Sequence, residues 1–200
     1  MHFRPPLAIL LIALFATLSF AQETAVDHYN RGIEQRNDGE YEKAIAEFTK
    51  AIQLDAKMAD AYYERGSALL SLETDPDGAM RDLSKVIELD KKYSDAYFNR
   101  GTLYQKKKEW DKAIADFTSY ILLAPRDYGQ SASGLIERGK CLLEKNDFAP
   151  AIADFTNAVI AYPKDPAAYR NRAIAYEKSG NKPAAEADRK MAEKLEKPSY

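Results

Sequence analysis

Cys141 is the sequence's one thiol, and His2 and His28 are its two imidazoles, so nucleophilic or metal chemistry would have to start from these three positions. They are scattered, and no Cys or His spacing among them resembles a zinc motif. A Ser-His-acid triad would need His28, and no glycine-rich phosphate loop follows a strand-like segment. A lone cysteine closes no intramolecular disulfide, so stability has to come from packing. The polar groups that do recur are five arginines, Arg31, Arg65, Arg100, Arg138 and Arg172, each with an acid about sixteen residues on: Glu47, Asp82, Asp116, Asp154 and Asp188. A basic stripe for an anionic ligand is one reading. The reading preferred is five ion pairs inside repeated units, each contributing only ~0–1 kcal/mol if exposed and serving register more than stability. Nothing in this inventory is a catalytic constellation. The expectation is a protein that is not an enzyme and holds no cofactor or metal.

The elements that position these residues repeat. The tetrads ending in Gly32, Gly66, Gly101, Gly139 and Ala173 align, with successive ends 34, 35, 38 and 34 residues apart. A second motif follows each, as in Tyr41-Glu42-Lys43-Ala44-Ile45-Ala46-Glu47-Phe48, Trp110 to Phe117 and Phe148 to Phe155, with weaker copies from Gly78 and Pro183. Apolar residues such as Ala44, Ile45, Phe48, Ala51 and Ile52 fall at helical spacing. Asp38-Gly39, Asp75-Pro76-Asp77-Gly78, Asn146-Asp147 and Gly180-Asn181 mark turns between paired helices, and Asp165-Pro166 is a helix start with Asp as cap and Pro in the first turn. The reading is five helical hairpins, near residues 25–58, 59–93, 94–131, 132–165 and 166–197. Small residues should let the helices of a hairpin approach: Gly32, Gly66, Gly101, Gly139 and Ala173 on the first, facing Ala44, Ala79, Ala113, Ala151 and Ala185 on the second. A mid-helix glycine costs about 1 kcal/mol relative to alanine, so close packing must offset it.

This spacing resembles the tetratricopeptide repeat, a helix-turn-helix unit of about 34 residues. The resemblance runs over residues 25–197. It implies an all-α, right-handed superhelical solenoid of five repeats, in which each hairpin contacts mainly its neighbours. The family's early Trp is replaced here by His28, Tyr62, Tyr97, Leu135 and Tyr169, and His28 is therefore expected in an aromatic packing slot. Cys141 aligns with Glu34, Ala68, Leu103 and Ala175 and reads as a core or boundary thiol. Arg189 stands where Phe48, Leu83, Phe117 and Phe155 stand in earlier units, as suits a last repeat with nothing to cover an apolar side chain.

The resemblance also implies a concave groove for a protein or peptide partner, lined by the first helices. Carried over by register, its candidate lining is Tyr29, Ile33, Arg36, Tyr63, Ser67, Leu70, Phe98, Thr102, Gln105, Ile136, Lys140 and Arg170. Tyr29, Tyr63, Phe98 and Ile136 form an apolar ladder one repeat apart, ended by Arg170. Either the ladder anchors a partner or it tucks between adjacent hairpins, and both readings stay open. The two-carboxylate clamp of the chaperone-tail type would need Lys, Asn and Arg where Tyr29, Ile33, Glu64, Asp95 and Asn99 stand, which argues against that ligand. The junction after the third unit carries four extra residues in 125–131 and Tyr120 at an alanine position, and it is expected to pack more loosely.

Charge and the N-terminus bound the rest. With 29 basic and 31 acidic residues the net charge is −2, which lacks the basic excess of a nucleic-acid grip. Residues 1–21 read as a secretory signal peptide: Arg4, an apolar run from Leu7 to Leu18, and Ser19-Phe20-Ala21 before a cut after Ala21. The alternative is an uncleaved anchor, although the run is shorter than the ~20 residues of a spanning helix. The expectation is an exported, periplasmic or extracellular scaffold that binds a protein partner or associates with itself.

Overall fold

The computed structural model describes residues 23–123 and 128–197. The proposed signal segment, residues 1–21, and residues 124–127 of the third junction lie outside them. The described residues form ten helices and no strand: α1 (Ala25–Asn37), α2 (Tyr41–Leu54), α3 (Ala59–Leu72), α4 (Pro76–Leu89), α5 (Ser94–Lys106), α6 (Trp110–Leu123), α7 (Tyr128–Glu144), α8 (Phe148–Ala161), α9 (Pro166–Lys178) and α10 (Lys182–Glu196). None of the described helices is long and apolar enough to cross a membrane.

Local chemistry sets these boundaries. Thr24 and Asp27 cap α1 reciprocally, each side chain accepting from the other's backbone N–H, at 3.2 Å on Thr24 Oγ1 and 2.8 Å on Asp27 Oδ2. Asp75 and Asp165 cap α4 and α9, with Pro76 and Pro166 first in their helices. Each hairpin turn carries one residue with positive φ: Gly39, Glu73, Lys108, Asn146 and Gly180.

Helices pack in chain order, two to a hairpin. The first helices α1 and α3, α5 and α7, and α7 and α9 also touch, so they share one side of the stack. The second helices bury one stripe each, such as Ala44, Glu47, Phe48 and Ala51 in α2. Phe48, Phe117 and Phe155 are fully buried, with Leu83 in their place in α4. Arg189 of α10 at that position is exposed and pairs with Glu177.

In three hairpins the nearest neighbour of the glycine is a ring and not the expected alanine. The alanines are buried, but a Cβ on Gly32 would lie 2.5 Å from Phe48 Cε1, and one on Gly139 would lie 2.6 Å from Phe155 Cε1. At Gly101 the nearest atom is Phe117 Cε1 at 3.0 Å. The glycines thus make room for a ring one turn beyond the alanine. Only Gly66, opposite Leu83, has the alanine's backbone among its near neighbours, with Asp82 Cβ at 3.4 Å and Ala79 O at 3.5 Å.

The loosest junction is also not the expected one. α6 and α7 meet as extensively as α2 and α3, whereas α4 and α5 share the thinnest contact between successive helices. Tyr120 is buried at the third junction because Gly134 stands opposite it where other units carry Ala61, Ala96 or Ala168.

Candidate functional site: the face of the first helices

The recurring arginines form a polar spine along the stack. Arg65, Arg100, Arg138 and Arg172 each grip their acid through two parallel bonds of 2.7–2.8 Å, donated from Nε and Nη2 to Asp82, Asp116, Asp154 and Asp188. The aspartates are buried and the arginines half-buried, so the small contribution of an exposed pair is not the measure of these. The carboxylates raise the guanidinium pKa values against the opposing effect of burial. Nη1 of each arginine reaches back to the preceding hairpin and donates to Thr49 at 3.1 Å, Ser84 at 3.3 Å, Thr118 at 3.0 Å or Thr156 at 3.3 Å. Tyr62, Tyr97 and Tyr169 lay a ring beside the guanidinium of the arginine three residues on. The spine therefore links units as well as closing them, which sequence reasoning missed. Its signal was present: the residue after each Phe or Leu is Thr or Ser in four units and Lys190 in the last, where no next arginine exists.

The first unit departs from this pattern. Arg31 directs its bonds to Glu23, at 2.8 and 2.6 Å, and its Nε only approaches Glu47, at 3.5 Å. His28 is buried with Nδ1 2.6 Å from Glu47 Oε2, so it joins a polar network rather than an aromatic packing slot. An imidazole reaches the acid that a tyrosine would leave to the arginine, so the Arg31–Glu47 pair anticipated from register is kept as a longer contact without the two short bonds of the other units. Burial resists ionisation of Glu47, yet His28, Lys50 and Arg31 together hold its carboxyl below the usual range.

On the shared face, Tyr29, Tyr63 and Phe98 are half-buried. Tyr29 packs on Phe48 with ring centroids 5.9 Å apart, Tyr63 on Tyr93 at 4.9 Å, and Phe98 between Phe117 at 5.6 Å and Tyr120 at 4.9 Å. Each ring is thus packed against at least one other ring and remains partly exposed. Ile136 is only 6% exposed and belongs to the core with Leu135 and Phe155, so it presents no anchor. Arg170 is exposed and paired with Glu196.

Polar side chains of this face tie one unit to the next. Arg36 donates to Glu64, and Gln105 donates to Glu137 at 3.2 Å, while Lys140 holds the other Glu137 oxygen at 2.7 Å. Leu70 occupies the register of Arg36 and Gln105 and has no such bond to offer. There Asn99 donates instead to the Tyr63 hydroxyl, at 3.3 Å. Thr102 donates to the Phe98 carbonyl, and Ile33 and Ser67 are half-buried between these groups. Burial, then the nearby Asp95, pushes the Tyr63 phenol pKa up; burial, then Glu64 and Asp60, does the same at Tyr29. Such a face offers aromatic flanks, amide and hydroxyl groups and charges of both signs. Among the described residues no group of three or more His, Cys, Asp or Glu could hold a metal ion.

Comparison with known proteins fits this geometry. A family profile described as a TPR repeat matches residues 37–72, and two described as tetratricopeptide repeats match residues 83–115 and 136–194. Among solved structures, the crystal structure of the MamA protein matches with a TM-score of 0.79 at 22% identity, covering 87% of this chain and 92% of that one. The 41-end form of MamA from Desulfovibrio magneticus RS-1 matches at 0.78 and 19% identity, covering 86% and 94%. YrrB, described as a TPR protein with an unusual peptide-binding site, matches at 0.76 and 22% identity, covering 86% of each chain. At these identities the likeness is one of fold: an all-α repeat solenoid.

Proposed function

Because this chain is a tetratricopeptide-repeat protein, we propose that it is an exported scaffold that holds a protein or peptide partner along the face of its first helices. The observation that carries the reading is the row Tyr29, Tyr63 and Phe98, each half-buried, packed against another ring and set among inter-unit polar groups. Rings anchored in this way are already ordered, so a partner that stacks on them meets a small entropic cost. The peptide-binding site named for YrrB supports the same use of the fold. Export rests on the signal-like residues 1–21 and is tested by N-terminal sequencing of the secreted protein.

Crosslinking the full chain in its native envelope fraction, followed by capture, should recover a partner. Tyr63→Ala with Phe98→Ala should weaken that capture at least tenfold while helicity is kept. Equal capture by the double variant would overturn the placement of the site.

A second reading, self-association, has its own observation. Leu122 and Ile160 occupy the same register of α6 and α8 and are 79% and 70% exposed. They lie on the side of those helices opposite the buried alanines, and two consecutive large apolar side chains there would suit a contact between copies. Light scattering distinguishes the readings: a strict monomer at high concentration excludes the second.

A further inference from the structure

An aromatic residue opens the second helix in three hairpins, whereas the fifth has Lys182 there and the second has Pro76. Tyr41, Trp110 and Phe148 stand three residues before the buried Ala44, Ala113 and Ala151, and in the second unit that position is Pro76, before Ala79. Trp110 packs on the cluster that contains Cys141 of the following unit, and Phe148 packs on the cluster that contains Ala175 of the following unit. At the second junction the residue in the register of Cys141 is Leu103, whose larger side chain fills only part of the space. A cavity of about 280 Å³ remains.

Leu69, Leu70 and Leu103 form its apolar wall, with Pro76 beside them. Glu73, Pro76, Lys106 and Lys107 are exposed, so the cavity opens to solvent between the turn-end halves of α3 and α5. This is the junction where α4 and α5 share the thinnest contact. It is also where Leu70 replaces the polar bridge made elsewhere by Arg36 and Gln105, so the wall is apolar where the neighbouring junctions are closed by hydrogen bonds. A dry cavity of about 150 Å³ takes benzene. A cavity of this size takes a bicyclic ring.

We infer that this cavity is a docking pocket for an aromatic side chain of a partner protein. The ring chemistry comes from the molecule itself, which fills the equivalent place with Trp110 and Phe148 supplied by its own chain. The rim adds no net charge: Lys106 lies 3.7 Å from Glu73, and Lys107 lies 2.5 Å from Asp77. The inference rests on the scaffold reading and assigns one anchor point within it.

The test uses the full-length protein with methyl-labelled leucines and two probes, N-acetyl-tryptophan and its neutral amide. Both should shift the Leu70 and Leu103 methyl signals at millimolar concentration. N-acetyl-alaninamide should leave them unmoved. Pro76→Trp restores the ring in cis; it should abolish the shifts and raise Tm by roughly 2–4 °C. Leu70→Lys, which blocks the wall without touching the helix start, should abolish them too. Unshifted methyls in the parent protein, or shifts that persist in both variants, overturn the pocket. If the groove still captures its crosslinked partner in that case, the scaffold reading stands without it.

Discussion

Gly134 sits so close to the ring of Tyr120 that a Cβ on it would lie 2.6 Å from Tyr120 Cδ1. At the other junctions the matching pairs are Ala51 with Ala61, Val86 with Ala96 and Ala158 with Ala168. One small residue and one large one have exchanged volume across the third junction. Gly134→Ala should therefore destabilise by about 1–3 kcal/mol through overpacking, and Tyr120→Ala by about 3–5 kcal/mol through a cavity. The double variant recreates the alanine pair of the first and fourth junctions. Its loss should fall short of the sum by more than about 1 kcal/mol in urea denaturation. Simple additivity would show that the two residues are independent.

The glycines of the first helices should not respond alike. Gly139 faces Phe155 at a distance a Cβ cannot share, whereas the nearest atom at Gly66 is at ordinary contact distance, 3.4 Å, because Leu83 replaces the ring. Gly139→Ala should cost about 1–3 kcal/mol. Gly66→Ala should be neutral or should stabilise by up to about 1 kcal/mol, since alanine is the better helix former. Equal losses at both positions would mean that the helix approach, and not the ring, demands glycine.

These two cases show what a repeat register can and cannot convey. Equivalence of position is visible in one dimension, so the hairpins and the Arg–Asp partners of units two to five followed from spacing. Direction is not visible. Ala44 and Phe48 lie one turn apart on the same stripe, and only the side-chain path decides which of them meets Gly32. The groove rows suffered from the same limit: Tyr63 and Ile136 share a register position, yet one is half-buried and the other is buried in the core. The vacancy at Pro76 was legible as a missing aromatic, but its consequence needed the position of Leu103. His28 was read by shape, while its polar nitrogens set its contacts.

The link between units is open to direct test at Thr118. Its hydroxyl donates to the Ile114 carbonyl at 2.7 Å and accepts from Arg138 Nη1 at 3.0 Å. Thr118→Val keeps the volume but removes the acceptor, and should cost about 1–2 kcal/mol. Because the bond crosses a junction, hydrogen exchange should speed up at the facing surfaces of α6 and α7 more than within either hairpin. Asp154→Ala strips Arg138 of its bidentate partner inside the unit and should cost more, about 3 kcal/mol. Exchange that quickens uniformly in the Thr118 variant would deny the hydroxyl a linking role.

Cys141 should report on unfolding. Its thiol is fully buried, and burial, reinforced by the nearby Glu137, pushes its pKa from about 9 up to about 12. The nucleophile is the thiolate, so at pH 8 a thiol reagent should label the native protein only as fast as the fourth hairpin opens, and label the urea-unfolded chain at once. The same shift sets an alkaline stability slope. Between pH 9 and 12 the unfolded chain releases this proton and the native one keeps it, so the native state loses ground as pH rises, by up to about 1.4 kcal/mol per pH unit from this group. Cys141→Ala should therefore show a shallower decline than the parent over that range, whatever the other titrating groups contribute to both. Parallel alkaline limbs, or rapid labelling of the folded parent at pH 8, would show that the thiol reaches solvent.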